Sequence, residues 1–338
     1  MSASAPTTAP KIALVLGAGG IAGYSFHAGS LAAIEQATGW DARTAEVVIG
    51  TSAGSSVGAV IRGNVSVSTL VDRILSVPTD YKGMDRLRRV AGRGESLFSA
   101  RLPLPASPGL VVKELIGLDR PNLGRLLAGS LPVGVLNTEV LGEQADVLHP
   151  DGWPETKLWI PAVDLETGEV TVFGRDYQHV GVGTAVAASC AIPAYFKPVE
   201  IDGRRFVDGG VRSLVNVDLL VDMDVDLVVV TSPLSLSRWS VANPLACVLR
   251  SLPGFQLRQE VATLHRAGIP TLVVEPNPTT TRVMGPNAMD PTRMVPVLTA
   301  SALAATELLE TSVETEILDL LRQAGKQLTP PPDAPYPD

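Results

Sequence analysis

The sequence predicts an α/β fold with a mainly parallel central sheet and helices on both faces. Short continuous apolar runs recur along the chain, and helical stretches separate them. The first two runs end in glycine-rich turns that open helices. An apolar run of this length, bounded by turn residues, fits a strand buried on both faces.

The elements follow in order. Ile12 to Leu16 is the first strand, and Ile21 to Ala37 the first helix, small and apolar in its first half. Glu46 to Ile49 is the second strand, followed by Gly50-Thr51-Ser52-Ala53-Gly54 and a helix to about Ile61. Further strands are expected at Leu158 to Val163, Val170 to Phe173, Leu227 to Thr231 and Thr271 to Val274, and a long amphipathic helix from about Val297 to Leu321. Residues 81–146 break the rhythm and read as a helical cap or insertion. It starts with Lys82, Arg86, Arg88, Arg89, Arg93 and Arg101. Residues 1–10 and the proline-rich tail 329–338 read as disordered ends around one folded domain over 11–328.

Composition narrows the function classes. The 338 residues are 45% hydrophobic and 18% charged, which excludes global disorder. A net charge of −8 excludes nucleic acid as the main partner. Two cysteines, Cys190 and Cys247, and four scattered histidines form no disulfide framework and no metal motif, so no metal or cofactor is expected. The start, Met1 to Pro10, is small and polar, and no stretch of membrane-spanning length is apolar enough. A cytoplasmic chain is the expectation, with peripheral contact at a membrane surface left open. The basic Tyr81 to Arg101 segment could lean on anionic lipid, or be an ordinary solvated face, since Asp85 and Glu95 interleave it.

Three motifs carry chemistry. Gly50-Thr51-Ser52-Ala53-Gly54 fits G-x-S-x-G in a strand-turn-helix context. Such a turn projects the Ser52 hydroxyl at a helix N-terminus, and the flanking glycines let strand and helix approach closely. A serine there could also simply cap the helix. The first strand runs into Gly17-Ala18-Gly19-Gly20, whose amides could cradle an oxyanion or a phosphate. The same loop satisfies the dinucleotide fingerprint, with Glu35 or Asp41 as the candidate acid. That fingerprint wants its acid at the end of the second strand, where this chain has Gly50-Thr51-Ser52. Finally, Asp208-Gly209-Gly210 follows a short apolar run and could be a plain hairpin turn or a site carboxylate.

Taken in this order, the three motifs resemble the patatin-like phospholipase family. His27-Ala28-Gly29, Ala162 to Gly168, Ala188 to Pro198 and Asn216 extend the likeness, which covers roughly Lys11 to Pro233. The resemblance implies a three-layer sandwich and a Ser52–Asp208 dyad without a catalytic histidine. It implies oxyanion donors among Gly17, Ala18, Gly19 and Gly20, and a lipid acyl ester (phospholipid, lysophospholipid or glyceride) as substrate. The loop departs from the family's usual residues at Ala18, where glycine is common, and at Ala22, where arginine is common.

Other readings remain. An NAD(P)-binding oxidoreductase would use the Gly17 loop, and an inactive family member would bind lipid or a partner. A triad would recruit His265, which reads as a helix-surface residue, while His27 reads as a buried packing residue.

Overall fold

The computed structural model describes residues 8–76, 106–116, 123–134, 136–236, 244–311 and 313–336. The strands are β1 (Ile12–Leu16), β2 (Val47–Gly50), β3 (Lys157–Asp164), β4 (Val170–Phe173), β5 (Val199–Ile201), β6 (Arg204–Asp208), β7 (Leu227–Thr231) and β8 (Thr271–Val274). They form one sheet in the order β5-β6-β3-β2-β1-β7-β8, with β4 also paired to β3. The run β3-β2-β1-β7-β8 is parallel throughout. Strands β4, β5 and β6 add an antiparallel corner.

Alternation along β1 shows why the sheet is sandwiched. Ile12, Leu14 and Leu16 enter one core with Phe26 and Val57, which belong to helices α1 (Gly20–Thr38) and α2 (Ala53–Arg62). Ala13 and Val15 enter a second core on the other face, with Val217, Leu220, Leu257 and Leu264. All five β1 residues are buried, and each large one contributes about 1.5–3 kcal/mol on leaving water. The predicted mainly parallel α/β sandwich is the observed one.

Strand register places the site. Parallel pairing sets Leu16 beside Gly50, so β1 and β2 end together. Strand β6 runs the opposite way and pairs Asp208 with Ala162, so its last residue returns toward the same end of the sheet.

Four expectations are revised. The single helix expected over Val297 to Leu321 is two, Met294–Thr311 and Thr315–Gln327. A run of β-branched and hydroxyl residues around Thr311, Val313 and Thr315 weakens helix continuation there. The hairpin turn lies at Asp202-Gly203, while Asp208 caps a 3₁₀ turn, Gly209–Val211. Pro10, in the expected disordered start, is buried.

The tail over 329–338, also expected to be disordered, is docked as far as Tyr336. Its prolines bar helix and ladder, but side chains hold it instead. Asp333 accepts from the Ser66 amide at 2.7 Å, the Ser66 hydroxyl at 2.8 Å and the Thr69 hydroxyl at 2.8 Å. Ala334 N–H donates to Asn64 O, and Tyr336 OH lies 2.7 Å from Tyr24 OH. The described parts of the expected cap over 81–146 include helices Pro108–Ile116, Leu123–Ser130 and Glu139–Leu148. The basic Tyr81 to Arg101 segment lies outside the described residues.

Candidate active site

Ser52 stands between the end of β2 and the start of α2, with φ 53° and ψ −120°. A positive φ is costly for a residue with a Cβ and persists only where surrounding structure enforces it. Here the enforcement is local. Thr51 N–H donates to Leu16 O at 2.9 Å, and Ser55 N–H to Ser52 O at 2.8 Å. The glycine requirement is steric: a Cβ on Gly54 would lie 2.0 Å from Leu16 O, and one on Gly50 would lie 2.4 Å from Gly54 O. The motif residues Gly50, Thr51, Ala53 and Gly54 thus build the turn that lifts Ser52.

Asp208 ends β6, buried like Ser52. Its carboxylate accepts from Gly210 N–H at 2.7 Å, and the Ser52 side chain lies close enough to act on it. Burial pushes its pKa up from 3.8 to about 6, against the opposing pull of those two groups. Cys190 lies alongside, its thiol pushed up to about 12 by burial and then by the Asp208 charge. That thiol is no nucleophile near neutral pH.

The glycine loop meets both partners. A Cβ on Gly23 would lie 3.6 Å from Ala53 Cβ, and one on Gly210 would lie 3.6 Å from Ala18 Cβ. The structure corrects the donor set expected of this loop. Gly17 N–H is spent on Thr231 O at 2.9 Å, and Ala18 N–H on Leu214 O at 2.7 Å. Among the described residues, the Gly19 and Gly20 amides donate to no protein acceptor. Gly20 takes φ +59°, and a Cβ there would meet Ala288 O at 2.9 Å. Ala22 is buried, with its amide on Ala288 O, so no side-chain charge reaches the loop from that position.

His27 holds this loop from beneath. Nε2 lies 2.8 Å from Gly17 O, and Nδ1 lies 2.6 Å from Thr231 Oγ1. A carbonyl only accepts, so Nε2 carries the proton and Nδ1 accepts from the threonine hydroxyl. Burial keeps the ring neutral, with its pKa lowered from 6.5 to about 4. His265 is exposed on the helix Pro244–Arg266, and His149 and His179 bond to Ala59 O and Asp202. No histidine hydrogen-bonds to Ser52 or Asp208 among the described residues.

Residues 14–221 match the sequence profile of the patatin-like phospholipase family. The chain belongs to that family. Similar proteins include an uncharacterized NTE family protein of Mycobacterium bovis and uncharacterized NTE family proteins from two strains of Mycobacterium tuberculosis. Each is 27% identical over 229 residues, covering 67% of this chain and 50% of the relative. The chain therefore spans about half the length of the curated relatives it matches.

The matched patatin-like region is not self-sufficient. Thr231, which takes the Gly17 amide and faces His27, and Ala288, which takes the Ala22 amide, both lie beyond it. Sequence reasoning missed two supports within it. Ser189 Oγ accepts from Ser52 N–H at 3.0 Å, and Asn216 Nδ2 donates to Thr51 Oγ1 at 3.1 Å. Their only signal was membership of motif-like stretches. The acids considered for a dinucleotide site serve locally: Glu35 accepts from Ala42 N–H, and Asp41 from Arg43 N–H.

Proposed function

We propose that this chain is a serine acyl-ester hydrolase acting on lipid acyl esters, with Ser52 as nucleophile and Asp208 as base. One relationship carries the reading: the Ser52 side chain lies close enough to the buried Asp208 carboxylate to pull its pKa down, against the burial that raises it to about 6. An ordinary aspartate is a weak base; one with a pKa near 6 takes a proton more readily, yet is about nine-tenths ionised at pH 7.

In this mechanism Ser52 Oγ attacks the ester carbonyl carbon while Asp208 takes the hydroxyl proton. The carbonyl oxygen becomes an oxyanion facing the Gly19 and Gly20 amides, at the N-terminus of α1. Collapse expels the alcohol, which takes the proton from Asp208, and leaves an acyl ester on Ser52. Asp208 then deprotonates water as it attacks that ester, and the fatty acid leaves as Ser52 Oγ takes the proton back from Asp208. No cofactor is called for. Phospholipid, lysophospholipid and glyceride all present the required ester.

No helix among the described residues is long and apolar enough to cross a membrane. A lipid substrate would then be met at the membrane surface or as a dispersed monomer. Turnover of p-nitrophenyl acyl esters by the wild type, absent in Ser52→Ala, is the expected result. A folded wild type without turnover on these or on phospholipid vesicles would favour a binding role instead.

A further inference from the structure

The amides of Ser52 and Asp208 are both held by one short segment, Ser189 to Ala191. Ser52 N–H donates to Ser189 Oγ at 3.0 Å, and Asp208 N–H donates to Ala191 O at 3.0 Å. Ser189 is the last residue of the helix Val182–Ser189 and is fully buried. Its own hydroxyl proton goes to Pro161 O in β3 at 2.7 Å. That bond fixes the rotor, so a lone pair faces the Ser52 amide. The Pro161 carbonyl also packs against the aspartate turn, where a Cβ on Gly209 would lie 2.3 Å from it.

The backbone amide of a positive-φ residue in a buried turn needs an acceptor, and a missing one is costly. Among the described residues, no main-chain carbonyl supplies it. We infer that Ser189 is a positioning residue for this hydrolase: its hydroxyl ties the Ser52 backbone to β3 and, through Ala191, sets the spacing between nucleophile and base. The inference rests on the dyad reading above. It also gives the stretch Ala188 to Pro198 a task besides shaping an apolar wall. Ser189 is fully buried and makes no hydrogen bond to the Asp208 carboxylate among the described residues, so its effect must travel through the placement of Ser52.

That route predicts a particular kinetic signature. In Ser189→Ala the Ser52 turn relaxes and its hydroxyl moves off the carboxylate. The rate of acyl transfer then falls while substrate binding does not. The Ser52 hydroxyl also helps keep the Asp208 pKa down, so its departure raises the acid limb of the pH–rate profile. A residue that only supported the fold would lower the amount of active protein and leave that limb in place.

The test uses the full chain with p-nitrophenyl esters. The expected result for Ser189→Ala is a kcat at least tenfold lower, KM within about twofold of wild type, and an acid limb displaced upward. Ser189→Thr, which keeps the hydroxyl, is expected to recover most of kcat and to return the limb. Should the alanine variant not fold, Ser189→Cys replaces it, being close in size but a weak acceptor. Should the threonine variant not fold, the limb alone decides. Wild-type kcat in Ser189→Ala, or a lowered kcat with an unmoved acid limb, would overturn the inference. Ser52→Ala run alongside separates the two claims: turnover surviving in it would overturn the dyad itself, whatever Ser189 does.

Discussion

Gly54 lies directly against Leu16: a Cβ on the glycine would fall 2.0 Å from the leucine carbonyl oxygen. The turn that carries Ser52 is therefore pressed against the end of β1, which itself leads into the glycine loop. Gly54→Ala cannot be absorbed by side-chain movement, because the obstacle is main chain. The expected cost is at least about 3 kcal/mol, at or above the usual range for overpacking. Urea denaturation of this variant, or its failure to accumulate as soluble protein, checks this.

Backbone strain at Ser52 makes a second prediction. Ser52→Gly and Ser52→Ala both remove the hydroxyl, and both should be inactive. They should differ in stability, because glycine alone is at ease at φ 53°. The glycine variant should be the more stable of the two by about 1 kcal/mol. Equal melting temperatures would mean that the turn carries no such strain.

The raised pKa of Asp208 has two consequences. As a base it must be ionised, so kcat/KM should climb through an acid limb near pH 6 and stay flat above it. For stability the sign runs the other way from that of an ion-paired aspartate. The folded state retains its proton where the unfolded chain has lost it, so burying the charge costs stability above about pH 6. A carboxyl raised from 3.8 to about 6 corresponds to about 3 kcal/mol at pH 8. Asp208→Asn should therefore be inactive yet more stable than wild type at pH 8, with the gain gone by pH 4. Melting curves at the two pH values measure it.

His27 has the opposite linkage. Its folded pKa, about 4, lies below the ordinary 6.5, so its stabilising contribution is complete above pH 6.5 and is lost as pH falls toward 4. His27→Ala would leave Gly17 O and Thr231 Oγ1 without their buried partner. A loss of about 2–4 kcal/mol is expected from two orphaned groups. Turnover should also drop, because the Gly17 carbonyl anchors the loop that presents Gly19 and Gly20. Chemical denaturation and ester hydrolysis at pH 7.5 report the two effects separately.

Removal of residues 329–338 tests the docked tail. Asp333 is the acceptor for three donors at the start of the helix Val67–Ser76, and Arg43 lies 3.5 Å away. Its carboxylate is 44% exposed, so water dilutes those bonds. A loss of about 1–2 kcal/mol is expected, read as a melting temperature lower by a few degrees. A dangling tail would leave the melting temperature unchanged.

Much of this fold is legible because parallel strands buried on both faces announce themselves. β4, β7 and β8 coincide with continuous runs of apolar or β-branched residues, and their ends fall where the sequence puts them. The hairpin of β5 and β6 is less legible, since Glu200, Arg204 and Arg205 break the apolar run in a short edge segment. Register is not written in any local window. Nothing near Gly17 announces that its amide extends the pairing with β7, and that pairing removes it from the donor set. Ser189 was equally hidden, because its partner Ser52 stands 137 residues away. Proline content gave the wrong answer for the tail because it reports main-chain bonding, whereas Asp333 and Tyr336 hold through side chains.

The pairing of Ser52 with Asp208 is tested most directly by reacting the full chain with a fluorophosphonate and mapping the modified residue by peptide mass spectrometry. The account predicts a phosphonyl adduct on Ser52 in wild type and in His265→Ala, and none in Ser52→Ala or Asp208→Asn. An adduct on Ser52 that forms at the wild-type rate in Asp208→Asn and disappears in His265→Ala would contradict it.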